Sequence, residues 1–133
     1  MFTEADIIHR YTRAQALADG VLVAVPETLQ KEAGFRIPVA MTSAVYEDCV
    51  AWSVADSERQ QVAQDQDARL WDLLAMARFA AHCEPERSLV AFDLTRYPRR
   101  GGNGNPRRTR LVMTIHQGDA AEPVITIMQP GES

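Results

Sequence analysis

The side chains best suited to catalysis or metal binding are few in this sequence: three histidines and two cysteines. His82 and Cys83 are the only adjacent pair, and neighbouring residues on a helix point about 100° apart, so they do not converge on one ion. The sequence contains no HExxH, CxxC or GxSxG motif. We therefore expect no metal, no cofactor and no catalytic residue. His9 and His116, the other two histidines, have no histidine or cysteine at helical spacing.

One enzyme hypothesis stays open because a site can assemble from distant residues. A cysteine becomes a nucleophile when a nearby histidine raises its thiolate fraction. Cys49 together with His82 or His116 would supply such a pair. The alternative is that Cys49 and Cys83 are small buried hydrophobic residues.

Arginines form the sharpest feature of the sequence. Positions 94–110 hold six of them and no acid: Arg96, Arg99, Arg100, Arg107, Arg108 and Arg110. They flank a glycine-rich segment, so they could hold phosphates or an acidic groove of a protein. The alternative is a solvated hairpin whose charges block edge-to-edge aggregation.

Acidic residues are concentrated in a different part of the chain. Positions 47–72 hold seven acids and only two arginines. A dense carboxylate surface can imitate a nucleic-acid backbone, with Glu47, Asp48, Asp65 and Asp67 as candidate contacts, although a merely solvated surface is the alternative. The net charge of −4 gives no general attraction to nucleic acid, and the chain is predicted to be a body with one basic and one acidic region.

Local signals predict several short elements in the first half of the chain. Thr12 and Gln15 form a capping box for a helix over 13–18 that ends at Asp19-Gly20. The apolar run 21–25 predicts a buried strand. Pro26 can open a second helix that ends at Gly34, and 36–41 is predicted to be extended.

Two further helices are predicted in the middle of the chain. Thr42 caps a helix over 43–54 with Val45, Cys49 and Trp52 on one apolar stripe. Positions 56–66 have no apolar period, so a loop or an exposed helix lead-in is expected. The longest helix covers 67–82, and its core stripe is Leu70, Leu73, Leu74, Ala77 and Ala81.

The last third alternates apolar and polar residues with the period of a half-buried strand. Strands are predicted at 88–97, 107–116 and 124–128, and the tip 98–106 is interpreted as too glycine-rich to pack and therefore mobile. The fold class is α+β. N-terminal helices pack on one face of a C-terminal antiparallel sheet, a three-stranded meander that strand 21–25 could extend.

Length and composition predict one soluble domain over residues 1–133. Positions 1–13 have no apolar core of a signal peptide and carry Glu4 and Asp6. No apolar run approaches the roughly 20 residues of a membrane span. We therefore expect a cytoplasmic protein with no membrane partner.

Several stretches together carry a family resemblance: YTRAQALADGVL (11–22), EAGF (32–35), PVA (38–40), DCVAW (48–52), RLWDLLAMAR (69–78) and EPVITIMQPGE (122–132). The chain resembles an uncharacterised protein family carried on bacterial plasmids, phages and integrating elements. The resemblance brings no established activity, so no functional residue follows from it. It implies the context of a mobile element, where small acidic proteins often inhibit host defences, including anti-CRISPR and anti-restriction proteins.

The leading hypothesis is accordingly a non-catalytic interaction protein of a mobile genetic element that inhibits a host nucleic-acid-targeting defence complex. Its protein partner would be contacted by the acidic helices or the arginine hairpin. The second hypothesis is a nucleic-acid-binding accessory factor that acts through hairpin 96–110. The third is the small enzyme built on Cys49, His82 or His116.

Overall fold

Seven helical segments and five strands make up the part of the chain that the structure, a computed structural model, describes, residues 11–132. The helices are α1 (Arg13–Ala18), α2 (Glu27–Glu32), α3 (Ser43–Val45), a π-helix (Tyr46–Val50), α4 (Val54–Gln60), α5 (Gln66–Cys83) and a 3₁₀ turn (Gly102–Gly104). The strands are β1 (Leu22–Ala24), β2 (Val39–Thr42), β3 (Leu89–Arg96), β4 (Arg107–Gln117) and β5 (Pro123–Met128). No helix among the described residues is both long and apolar enough to cross a membrane.

The strands form one open sheet in the order β1-β2-β5-β4-β3. The predicted antiparallel meander of β3, β4 and β5 is present, but it is only part of the sheet. β2 pairs with β5 in parallel, and β1 pairs with β2 antiparallel. The expectation of a purely antiparallel sheet is therefore wrong, and the fold is a mixed α/β arrangement.

β1 was expected to be a buried strand that extends the meander, and both parts of that expectation need correction. It reaches the meander only through β2, and it lies at the edge of the sheet. Its three residues are half-buried or exposed, and Val25 just after it is buried. A short apolar run does not distinguish an edge strand, which is covered on one side, from a central strand, which is covered on both.

One face of the sheet packs on α5 and holds the core. Val90, Phe92 and Leu94 alternate with more exposed residues along β3, as the period-two pattern predicted. They pack in the same cluster as Leu73 and Leu74, which are fully buried on α5. The predicted core stripe of α5 is thus confirmed, with Ala81 partly buried at its end.

Not all helices lie on that face. Thr126 alternates along β5 with Ile125 and Ile127 of the core, so its side chain points to the opposite face. There its hydroxyl accepts a 2.6 Å hydrogen bond from Arg13 at the start of α1. The N-terminal capping box is present as predicted, but α1 contacts the second face of the sheet.

The helix predicted over 43–54 is broken in the structure. It begins at Thr42 as an α-turn, widens into the π-helix and ends at Ala51, whose backbone is extended. Ser53 then starts α4, because its hydroxyl and the Asp56 carboxylate form a second capping box. α4 covers the first five positions of the stretch 56–66, which has no apolar period, and its buried positions are polar: Asp56 and Gln60.

Candidate binding surface at the arginine hairpin

The tip of the β3–β4 hairpin packs against α4. Arg96 pairs with Arg107 at the last rung of the ladder. Beyond that rung, the Gln60 amide donates to the carbonyl of Gly101 at 2.9 Å and accepts from the N–H of Gly104 at 3.1 Å. The interpretation that this glycine-rich tip would not pack is wrong, because its backbone groups are bound by a buried side chain.

Gly104 shows why glycine is needed at this contact. Its φ is +73°, a left-handed conformation, and a Cβ at this position would lie 2.9 Å from the backbone carbonyl oxygen of Gln60. Gly101 also has a positive φ of +75°, yet a Cβ there would meet nothing within 4 Å. The tip and α4 are therefore in direct backbone contact at one glycine.

Arg99 joins the tip to the acidic stretch. Its Nε donates to the Asp56 carboxylate at 2.8 Å, and its Nη1 donates to Glu47 at 2.7 Å. Arg59 donates to the other oxygen of Asp56 at 2.7 Å. Burial alone would raise the pKa of the Asp56 carboxyl, but the hydrogen bonds from Arg99, Ser53 and Arg59 outweigh burial and hold that pKa below its usual range.

Arg96 makes a second bridge between the same two regions. Its Nη2 contacts both oxygens of the Asp48 carboxylate, at 2.8 and 2.9 Å. The Arg96 side chain is 14% exposed and the Asp48 side chain 32% exposed, so this pair is better shielded from water than a typical surface pair. The end of the β3–β4 ladder next to the tip is thereby fixed to the π-helix.

Arg69 lies beneath these pairs and is only 4% exposed. It donates to the backbone carbonyls of Val50, Tyr97 and Asp48, at 3.1, 2.9 and 3.3 Å. Its guanidinium also lies 4.7 Å from the centre of the Trp52 ring. Burial lowers the pKa of Arg69, and the side chain joins the π-helix, α5 and the hairpin in one cluster.

The basic and acidic regions therefore neutralise each other in part, so the prediction of a body with separate basic and acidic regions needs correction. Arg96 and Arg99 are internal partners of Glu47, Asp48 and Asp56. Arg110 pairs across the strands with Asp93 at 3.1 Å.

Four hairpin arginines are exposed, and three of them differ from the paired Arg110: Arg100, Arg107 and Arg108. Among residues 11–132, no carboxylate forms an ion pair with any of them. We call these three residues the arginine tip. The ion pairs beneath it hold the strands and backbone that carry the three side chains.

The remaining acidic candidates have different surroundings. Asp65 is the N-cap of α5 and accepts from the N–H of Ala68 at 3.1 Å, so part of its role is structural. Asp67 is exposed in the first turn of α5. Neither forms an ion pair with another described residue.

The residues of the enzyme hypothesis do not come together. Cys49 is buried, and it lines a cleft that contains no histidine. His82 lines a second cleft beside Trp71, and His116 a third beside Arg13. Burial, followed by the neighbouring Asp48 carboxylate, raises the pKa of the Cys49 thiol to about 12, which is opposite to what a nucleophilic thiolate requires.

The described residues contain no group of three or more histidine, cysteine or acidic side chains that could hold a metal ion. His9 lies outside the described residues. Cys49 and Cys83 are both free thiols, the first buried and the second exposed.

Two features were not predicted from the sequence: a pair of exposed aromatic side chains on α5 and a polar cluster on the second face of the sheet. α5 exposes Trp71 and Phe79, which lie eight positions apart and line one cleft together with Ala33 just after α2. Their helical spacing was visible in the sequence. On the second face of the sheet, the Thr126 hydroxyl bridges Arg13 and Nε2 of His116, and only the sheet order brings those three together.

This architecture defines the class: mixed α/β proteins built on an open five-stranded sheet, here with a hairpin joined by ion pairs to the helical layer. The chain belongs to a family of unknown function (DUF6573), whose model matches residues 1–133. The family membership confirms the expectation of an uncharacterised family. A search of curated proteins and a search of solved structures each found no match.

Proposed function

We propose that the protein is a non-catalytic, cytoplasmic interaction protein that binds nucleic acid through the arginine tip. The observation that supports this proposal is the division of the hairpin arginines into two sets. Arg96 and Arg99 are held by carboxylates of the helical layer, and Arg110 by Asp93 within the hairpin. The other three, Arg100, Arg107 and Arg108, are exposed and form no ion pair with a described residue. The first set anchors the hairpin, and the second presents cations to a partner.

Guanidinium groups on an anchored backbone are well suited to phosphate. Arginine binds phosphate oxygens through paired N–H donors, and an anchored backbone reduces the ordering cost of binding. The rest of the chain is acidic, with a net charge of −4 overall. The contact is therefore confined to the tip, and the affinity should be modest and sensitive to salt.

A second candidate is the inhibitor of a host nucleic-acid-targeting defence complex, encoded by a mobile genetic element. The ion pairs of Glu47, Asp48 and Asp56 weaken the idea of a nucleic-acid mimic, because these carboxylates already have partners. The observation in its favour is the acidic surface that remains on and beside α4 and α5 once the ion-paired carboxylates are set aside. Its four exposed carboxylates, for which the described residues offer no ion-pair partner, are Glu58, Asp65, Asp67 and Asp72.

A matched pair of triple variants tests the first candidate. One variant replaces Arg100, Arg107 and Arg108 with alanine. The control replaces Lys31, Arg36 and Arg87, which are exposed cations outside the hairpin, and it changes the net charge by the same amount. Fluorescence anisotropy with labelled duplex and single-stranded oligonucleotides is measured between about 50 and 200 mM salt.

The tip variant should lose binding, and its log–log salt slope should become shallower by up to about 0.9 for each lost duplex phosphate contact. The control should bind like the wild type. Equal binding by the two triple variants would refute the proposal. If neither oligonucleotide binds the wild type, but Asp65→Asn with Asp67→Asn weakens capture of a host nuclease complex, the second candidate replaces the first.

A further inference from the structure

A cleft of about 270 Å³ lies at the base of the hairpin loop, where β3 leads into the tip, between β3, the π-helix and α5. We call it the hairpin-base cleft. Arg69, Arg96, Cys49 and Asp72 are among its lining residues. It is separate from the arginine tip, none of whose three residues lines it.

Arg69 brings a buried positive charge to this cleft without an ion-pair partner. No carboxylate among residues 11–132 lies within 4.0 Å of its guanidinium nitrogens. Its partners are the neutral carbonyls described above and the amide oxygen of Gln64 at 3.4 Å. A cation removed from water in this way favours any anion that can reach it.

The two guanidinium groups also retain unused donors. Arginine has five N–H groups. For Arg69, the contacts of Nε, Nη1 and Nη2 with described acceptors leave one N–H on Nη2. For Arg96, Nε is buried and has no hydrogen-bond partner, and it is the one such side-chain atom found among the described residues. Buried donors of this kind are rare in folded proteins and call for a partner.

We propose that the hairpin-base cleft binds a phosphate-type oxyanion, which accepts hydrogen bonds from Arg69 Nη2 and Arg96 Nε. The volume is ample for one tetrahedral anion. Asp72 lines the same cleft and opposes the anion, so binding in the wild type is weak. The proposal stands whether or not the arginine tip binds nucleic acid.

Trp52 provides the measurement, because its ring stacks against Arg69. The chain has two tryptophans, so Trp71→Phe leaves Trp52 as the sole tryptophan, which is excited selectively at wavelengths where tyrosine does not absorb. In that background, inorganic phosphate is titrated against sodium chloride at equal ionic strength. Phosphate should change the Trp52 emission saturably, and chloride should not.

Asp72→Asn is the decisive variant because it should improve binding, an outcome that misfolding cannot imitate. Removal of the opposing charge should lower the Kd for phosphate at least about twofold. Asp67→Asn, on the same helix but not in the cleft, is the control and should leave the Kd unchanged. The double variant Asp48→Asn with Arg96→Gln neutralises both partners of the ion pair together. It should abolish the phosphate response, because the Arg96 guanidinium is lost while no unpaired carboxylate is left behind.

The source of the oxyanion is identified by a competing pair of ligands. A 5′-phosphorylated oligonucleotide that displaces phosphate better than its unphosphorylated twin supports a terminal phosphate on a polymer. Displacement by neither oligonucleotide supports a free ion. No saturable response to phosphate, or equal Kd values for the Asp72→Asn and Asp67→Asn variants, overturns the proposal.

Discussion

Replacement of Asp56 by alanine should be among the most destabilising single changes at the contact between α4 and the hairpin tip. The carboxylate side chain is 3% exposed and binds Arg99, Arg59 and the N–H of Ser53. Loss of the capping interaction costs about 1 kcal/mol. Loss of the two charge-assisted bonds adds about 2 kcal/mol, a low value because both arginines can turn to water. The expected decrease in the free energy of unfolding is about 3 kcal/mol.

The same carboxylate should make stability depend on pH in a defined direction. Its pKa in the folded state is lowered, so as pH falls the unfolded state binds the proton first. The stabilisation is complete above the unfolded pKa of about 3.9 and is lost progressively below it. The difference between wild type and Asp56→Ala should be about 1 kcal/mol smaller at pH 3 than at pH 7.

Urea unfolding followed by tryptophan fluorescence measures both quantities. The control is Glu58→Ala, which removes an exposed carboxylate from the same helix and should change stability by less than about 0.5 kcal/mol. If Asp56→Ala and Glu58→Ala cost the same, the buried ion-pair cluster does not stabilise the hairpin. A difference that stays constant from pH 7 to pH 3 would refute the pH argument separately.

Two further changes test packing at single positions. Gly104→Ala should destabilise the protein by about 1–2 kcal/mol more than Gly101→Ala, because only the first places a Cβ against the carbonyl of Gln60; urea unfolding of both variants measures the difference, and equal losses would contradict the close contact. Ellman's reagent should label Cys83 rapidly and Cys49 only on unfolding, because Cys49 is buried and its pKa is about 12. Rapid labelling of a Cys83→Ser variant would show that Cys49 is accessible.

Elements with a local signal could be predicted from the sequence. The capping box at Thr12 and Gln15, the α5 core stripe and the alternation of β3 and β4 all appear in the structure near their predicted bounds. Each depends on residues within one or two turns of each other, or on a period along a single strand. Periodicity and capping chemistry are readable without knowledge of the rest of the fold.

Features that depend on distant residues were missed or misplaced. The parallel pairing of β2 with β5 joins segments far apart in sequence, and no local pattern specifies it. α4 escaped because its buried positions, Asp56 and Gln60, are polar and were counted as surface. They are buried because Arg99 and the glycine-rich tip supply their partners.

The candidate site shows the same division. Charge counting located the arginine segment and the acidic stretch, but it could not show that Arg96 and Arg99 reach across to Asp48 and Asp56. Opposite charges of similar number in two segments were the available hint. Whether such segments form two surfaces or one set of ion pairs depends on the hairpin packing on α4, and that contact is set by backbone geometry at Gly104.

The position of β5 has a consequence for how the protein is made. It is the last strand in chain order, yet it lies in the middle of the sheet, with β2 on one side and β4 on the other. During translation, β2 has no β5 to pair with until α5 and the β3–β4 hairpin have been synthesised. The two halves of the sheet become continuous only when residues 123–128 are available to pair with both neighbours, so the complete sheet assembles late in the order of synthesis.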